Sequence, residues 1–133
     1  MQLSPAGPNR YARQLALPGF ALGAQRGLAS ARVLVIGAGG LGSTVIPALA
    51  AAGVGTIGIV DDDTVELSNL HRQYIHGQAD IGSAKAASAA SSVAAINPTT
   101  VVSALEQRLT AATALELFAG YDLVLDGDRK SVV

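Results

Sequence analysis

The sequence predicts an α/β fold: a Rossmann-like, three-layer unit built around a parallel sheet. Short β-branched runs alternate along the chain with longer helical patterns, which is typical of such a sheet. These runs contain almost no polar residues, as expected when helices cover both faces of a sheet. A glycine-rich turn follows the first run directly. We expect right-handed crossovers and the strand order 3-2-1-4 of a doubly wound sheet, with the glycine-rich turn at the switch point.

The first strand is predicted at residues 32–37, after a polar arm and a short lead-in helix. A helical pattern follows at residues 41–52 and ends at Gly53, a residue typical of helix C-caps. Pro47 lies inside this pattern, so we expect a kink there.

The second half of the chain continues the alternation after an irregular polar stretch at residues 64–82. Asn97-Pro98 marks the end of an alanine-rich helix, and Thr110 is a suitable N-cap for the next helix. The further strands are predicted at residues 56–60, 100–104 and 121–125, and the further helices at residues 83–96 and 110–119.

Composition excludes several classes of function. The 133 residues carry a formal net charge of −1, so no basic excess is present to bind nucleic acid or an anionic membrane. Cysteine is absent, which excludes disulfides and cysteine-ligated zinc and fits a reducing cytoplasm. Neither a targeting segment nor an apolar run long enough to span a membrane is evident, so we expect a cytoplasmic protein.

The glycine-rich turn has the pattern G-x-G-x-x-G, formed by Gly37, Gly39 and Gly42, with Gly40 inside it. Between a strand and a helix, this pattern lets the backbone approach a phosphate and presents N–H groups to it. The alternative is a tight turn that binds no ligand.

Asp61 follows the second strand directly, 19 residues beyond Gly42. An acid at this place suits the hydroxyl groups of a ribose. The alternative is a solvated acid in a turn, which is our interpretation of Asp62. The pair of signals indicates an adenosine nucleotide without saying which one.

Two cationic residues lie downstream. Arg72 lies near the hydroxyl of Ser68 and the amide of Asn69 in the sequence, and it could bind a triphosphate through charge-assisted hydrogen bonds. A solvated loop is an equally good interpretation of this segment. Lys85 is the only lysine before residue 130, and an ammonium suits a phosphate oxygen. From the residues alone, a surface lysine remains the better interpretation.

His71 and His76 lack partners at metal-ligand spacing, so we predict surface or loop histidines and no metal site.

Together these motifs resemble the ubiquitin-activating-type adenylyltransferases over residues 9–127. Within that group the sequence is most similar to the bacterial molybdopterin-synthase and thiamine-biosynthesis sulfur-carrier adenylyltransferases (the ThiF/MoeB type). The motifs, in order, are RYARQ at residues 10–14, GAGGLG at 37–42, AGVG at 52–55, Asp61 with Asp63, SNLHRQ at 68–73, and Gly82 with Lys85.

The resemblance implies a reaction in which ATP and Mg²⁺ activate the C-terminal glycine of a ubiquitin-like sulfur-carrier protein. It implies catalytic roles for Arg72, Lys85 and Arg13, with Arg13 reaching across a homodimer into the partner's site. The implied nucleotide-binding residues are Gly37, Gly39, Gly40, Gly42, Asp61, Asp63, Ser68, Asn69, Leu70, His71, Arg72 and Lys85. Either the molybdopterin or the thiamine carrier is compatible with these motifs.

The sequence departs from the family pattern at its end. The pattern Asp-Gly-Thr-Asp-Asn is expected, but Asp126-Gly127 is followed by Asp128, and Arg129 holds the position of the metal-binding acid. Residues 128–133 correspond to one reading frame of a common short-read sequencing adapter; a natural truncation or a divergent tail is the alternative. We therefore expect an arm at residues 1–31, an incomplete nucleotide-binding domain at residues 32–127 and a non-family tail, in a chain that is itself inactive.

Two other functions remain open. An NAD-dependent oxidoreductase domain would use the glycine-rich turn and Asp61, but it has no need of Arg72 or Lys85. A non-catalytic nucleotide-binding module would suit the loss of the metal-binding acid.

Overall fold

The structure, a computed structural model, describes residues 9–128 and contains a four-stranded sheet. Every pair of neighbouring strands is parallel, and the order is β3-β2-β1-β4. This confirms the predicted fold class and strand order. The strands are β1 (Arg32–Ile36), β2 (Thr56–Val60), β3 (Val101–Leu105) and β4 (Leu123–Asp126).

The helices connect and precede these strands, and some of their ends differ from the prediction. The predicted lead-in helix is two helices, and the helix predicted from residue 83 starts at Lys85 because Ala84 forms an antiparallel bridge with Thr64. Thr110 is an N-cap as predicted, since its side chain accepts a hydrogen bond from the Thr113 N–H. The helices are α1 (Ala12–Leu15), α2 (Leu22–Ser30), α3 (Gly40–Ala52), α4 (Lys85–Ile96) and α5 (Ala111–Phe118).

The main core lies between one face of the sheet and helices α3 and α4, which pack against each other. Both helices belong to crossovers that run in the same direction along the sheet, so right-handedness places them on the same face. Ile57 and Ile59 of β2 meet Ile46 of α3 and Ala89 of α4, and all four side chains are fully buried. Small alanines on α4 let the two helices approach closely.

The other face of the sheet is covered more thinly. The crossover through α5 runs back across the sheet, which places α5 on this second face. The side chain of Tyr121 lies directly over Gly58 of β2 on this face. A Cβ at Gly58 would be only 2.2 Å from the tyrosine oxygen, so only glycine leaves room for the ring. Helix α5 and strand β4 have no fully buried residue, and about half of their residues are partly buried.

Helix α1 is attached to the end of the sheet at which the strands begin. The Asn97 amide donates to the Tyr11 hydroxyl and to the Ala50 carbonyl, each at 2.8 Å, and the Gln14 amide donates to the Ala52 carbonyl at 2.8 Å. Ala52 is the last residue of α3, which continues through Pro47; the kink expected there stays a prediction.

Among residues 9–128, none of the helices has the length and apolar character that a membrane span requires.

Candidate nucleotide-binding site

A cleft of about 640 Å³ opens at the carboxyl ends of β1 and β2. Parallel α/β sheets bind ligands at this end, where the strand order reverses. The residues that line it come from the glycine-rich turn, the end of β2, the following loop, the start of α4 and the end of β4. They are Gly37, Gly39, Gly40, Leu41, Asp61, Asp63, Thr64, Glu66, Asn69, Arg72, Gln73, Lys85, Gly127 and Asp128.

The glycine-rich turn is held close to the sheet and leads directly into α3. The Gly37 N–H donates to the Val60 carbonyl at 2.7 Å, and Gly37 has a φ of +96°, which favours glycine. A Cβ at Gly42 would lie only 2.2 Å from the Gly37 carbonyl oxygen. The turn therefore has the tightness that lets backbone N–H groups at a helix N-terminus approach an anion.

Asp61 fixes the turn from the end of the neighbouring strand. One of its carboxylate oxygens accepts the Ala38 N–H at 2.9 Å, and the other accepts the Asp63 N–H at 2.8 Å. Each carboxylate oxygen can accept a further hydrogen bond, so the group remains able to bind a ribose hydroxyl.

The loop after β2 brings Arg72 against the glycine-rich turn. The backbone N–H groups of Arg72 and Gln73 both donate to the Asn69 carbonyl, which forms a tight turn. A Cβ at Gly40 would lie 2.9 Å from Nη1 of Arg72, so the guanidinium lies directly beside the first residue of α3. Neighbouring Gln73 is only 3% exposed, and its side-chain oxygen has no hydrogen-bond partner.

Lys85 begins α4 and is buried at the cleft wall, with 7% of the residue exposed. The interpretation of a surface lysine, which the residues alone favoured, is therefore wrong. Its Nζ lies 3.9 Å from a carboxylate oxygen of Asp63, and its backbone N–H donates to the Asp63 carbonyl at 3.0 Å. This packing against the loop after β2 places an ammonium group in the cleft. The family resemblance marked Lys85 as a site residue, but the residues alone did not indicate its burial.

His76 lies in the loop after β2, as predicted for a surface or loop histidine, but it is buried there, at 4% exposure. Its two ring nitrogens lie 2.7 Å from the Ala38 carbonyl oxygen and 2.7 Å from the Ser88 hydroxyl. Burial lowers the pKa of the imidazole below its usual value, which favours the neutral ring.

Five of the candidate residues lie outside the lining of the cleft, and one of them is Gly42, which packs against Gly37 inside the turn. Ser68 and His71 are exposed, and Leu70 is half-buried. Arg13 is exposed on α1, and α1 is attached to the far end of α3 from the glycine-rich turn. Since α3 has 13 residues and is about 20 Å long, Arg13 does not reach the cleft of its own chain.

The three consecutive acids that follow β2 form a cluster, and two of them already have partners in the fold. Carboxylate oxygens of Asp61, Asp62 and Asp63 lie within 4.8 Å of one another. Both oxygens of Asp61 accept backbone N–H groups, and Asp63 faces the Lys85 ammonium. The position of the expected metal-binding acid, Arg129, lies outside the described residues.

A doubly wound sheet with a cleft at the carboxyl ends of its strands defines the Rossmann-like class of α/β folds. Comparison with known proteins gives the family: residues 11–128 match the ThiF family, and the chain belongs to it.

The similar proteins are adenylyltransferases and related enzymes. The chain is 57% identical over 118 residues to the "Probable adenylyltransferase/sulfurtransferase MoeZ" of Mycobacterium tuberculosis. It is 50% identical over 124 residues to the adenylyltransferase and sulfurtransferase MOCS3 of Arabidopsis thaliana. The crystal structure of the E. coli tRNA N6-threonylcarbamoyladenosine dehydratase TcdA in complex with AMP matches with a TM-score of 0.82 and 32% identity.

These matches cover most of this chain and less than half of each similar protein. They cover 89% of this chain and 30% of MoeZ, and 93% of this chain and 27% of MOCS3. For TcdA the corresponding shares are 88% and 48%.

Proposed function

We propose that the cleft binds ATP and that this chain supplies the nucleotide-binding part of a sulfur-carrier adenylyltransferase. The observation that carries the proposal is the convergence of Gly40, Asp61, Asn69, Arg72 and Lys85 on one cleft. An adenosine site needs only the turn and the acid. Two further cations beside them suit a triphosphate, whose charge they offset.

In the proposed reaction, a carboxylate oxygen of the carrier's C-terminal glycine attacks the α-phosphorus of ATP. The bond to the bridging oxygen of the β-phosphate breaks, and pyrophosphate leaves with that oxygen. Negative charge accumulates on the α-phosphate and the leaving group, so Arg72 and Lys85 would stabilise the transition state. A Mg²⁺ ion bound to the phosphates would offset part of the same charge.

The partners are part of the same proposal. The names of MoeZ and MOCS3 join an adenylyltransferase to a sulfurtransferase. Together with the family resemblance of the motifs, these names support a ubiquitin-like sulfur carrier as the proposed substrate. We propose that Arg13 acts on the site of a second subunit in a homodimer. Its exposed position at the end of the sheet away from its own cleft supports a role in trans.

The test grafts residues 1–127 onto the remainder of MoeZ in place of the matching segment. We expect carrier-dependent exchange of radiolabelled pyrophosphate into ATP by this chimera, and at least a hundredfold loss in its Lys85→Ala variant, about the effect of losing one transition-state contact. Residues 1–133 alone should give no exchange. An active chimera with unchanged exchange after Lys85→Ala would contradict the assigned role.

A further inference from the structure

Ala38 lies inside the glycine-rich turn, and both its backbone N–H and its backbone carbonyl form hydrogen bonds with side chains. Its N–H donates to Asp61, and its carbonyl faces Nε2 of His76 at 2.7 Å. Asp61 has a proposed role at the nucleotide, whereas His76 has none and does not line the cleft.

The hydrogen bonds determine which ring nitrogen carries the proton. A carbonyl can only accept, so Nε2 of His76 must be the donor to Ala38. In the neutral ring Nδ1 then accepts a hydrogen bond from the Ser88 hydroxyl, at 2.7 Å. Ser88 lies one turn after Lys85 on α4, so the ring connects the glycine-rich turn to the helix that carries the buried lysine.

The Ala38 carbonyl and the Gly39 N–H belong to the same planar, trans peptide unit, so they point in opposite directions. His76 is buried beneath the turn, and its bond therefore orients the Ala38 carbonyl towards the core. The Gly39 N–H consequently points away from the core, and Gly39 lines the cleft.

We propose that His76 is a positioning residue for phosphate binding: its Nε2–H fixes the Ala38 carbonyl so that the Gly39 N–H is presented to a phosphate oxygen. The inference rests on the proposed function, because it takes the ligand of the cleft to be a nucleotide with phosphates. His76 itself does not touch the ligand.

Two substitutions separate the two contacts of the ring. His76→Gln places an amide near the position of Nε2 and keeps a donor for Ala38, whereas His76→Asn places its amide near Nδ1 and loses that donor. Each variant loses one buried hydrogen bond, so each is the stability control for the other. The dissociation constants of ATP, adenosine and inorganic triphosphate are measured with residues 1–133, at a temperature where thermal melting shows both variants folded.

We expect His76→Asn to weaken ATP and triphosphate about tenfold and adenosine less than twofold, as for the loss of one positioned hydrogen bond to a charged group. His76→Gln should remain within about threefold of the wild type for all three ligands. Equal losses for ATP and adenosine, or equal behaviour of both variants, would overturn the inference and leave a structural role only. If the wild type binds triphosphate but not ATP, the proposed function fails while this inference is still decided by the triphosphate constants. If it binds neither, both fail.

Discussion

At the residue scale, two glycines of the same turn have very different surroundings. A Cβ at Gly42 would meet a backbone carbonyl at 2.2 Å, and one at Gly40 would meet the end of the Arg72 side chain at 2.9 Å. A backbone atom inside a turn cannot move away easily, whereas the end of an arginine side chain can.

We therefore predict opposite outcomes for two alanine substitutions. Gly42→Ala should lower the free energy of unfolding by about 3 kcal/mol, the upper range for overpacking. Gly40→Ala should change it by less than about 1 kcal/mol, because alanine suits a helix, but it should weaken ATP binding by displacing Arg72. Urea unfolding and calorimetric titration of both variants measure this. A destabilised Gly40→Ala protein would show that Arg72 is held rigidly.

The buried His76 gives a second prediction at this scale. Its pKa is lowered in the folded state, mainly by burial, so the unfolded chain binds more protons than the folded one as the pH falls. Stability should therefore fall as the pH drops below the unfolded value of about 6.5, and this loss should level off below the folded pKa. Thermal melting between pH 8 and pH 5 should show a smaller decline in His76→Gln than in the wild type. Equal declines in both proteins would contradict this assignment.

At the element scale, one buried amide joins three helices, beside the separate bond that Gln14 of α1 makes to the end of α3. Asn97 follows α4 directly and is fully buried, and its amide bonds both the Tyr11 hydroxyl and the end of α3. It therefore joins α1, α3 and α4 at the end of the sheet away from the cleft.

Asn97→Ala should lower the free energy of unfolding by about 1–3 kcal/mol, because it leaves buried polar groups without partners. ATP affinity should stay within about twofold of the wild type, since the change lies at the other end of α3. Ser30→Ala is a matched control, because that exposed hydroxyl bonds only to carbonyls of its own helix. A comparable loss in both variants would remove Asn97 from this role.

The sequence predicts the strands and helices better than the segment between them. A short run of β-branched residues, such as residues 56–60, is a local pattern that indicates a buried strand. Such strands can therefore be predicted from the sequence alone. Residues 64–82 read as irregular, yet Val65 is buried there, donating to Ser83 and accepting from Gly82. These hydrogen bonds join residues at the two ends of the loop. Residues so far apart in sequence form no local periodic pattern, so the bonds could not be predicted.

At the scale of the whole molecule, the chain topology brings the candidate residues together. Glycines and acids at strand ends are predictable as site residues, because the carboxyl ends of parallel strands share one edge of the sheet. Burial of Lys85 and His76 depends instead on how α4 and the loop after β2 pack against that edge. A lone lysine or histidine in a sequence carries no sign of such packing.

Calorimetric titration of residues 1–133 with ATP and with NAD⁺ decides whether this cleft is an ATP site. We expect saturable binding of one ATP per chain, weaker by about tenfold or more in Lys85→Ala because a charged hydrogen-bond donor is lost. We also expect that NAD⁺ binds more weakly than ATP, since Arg72 and Lys85 suit a triphosphate. Tighter binding of NAD⁺ than of ATP, or ATP binding that is unchanged in a folded Lys85→Ala protein, would show that the cleft is not built for ATP.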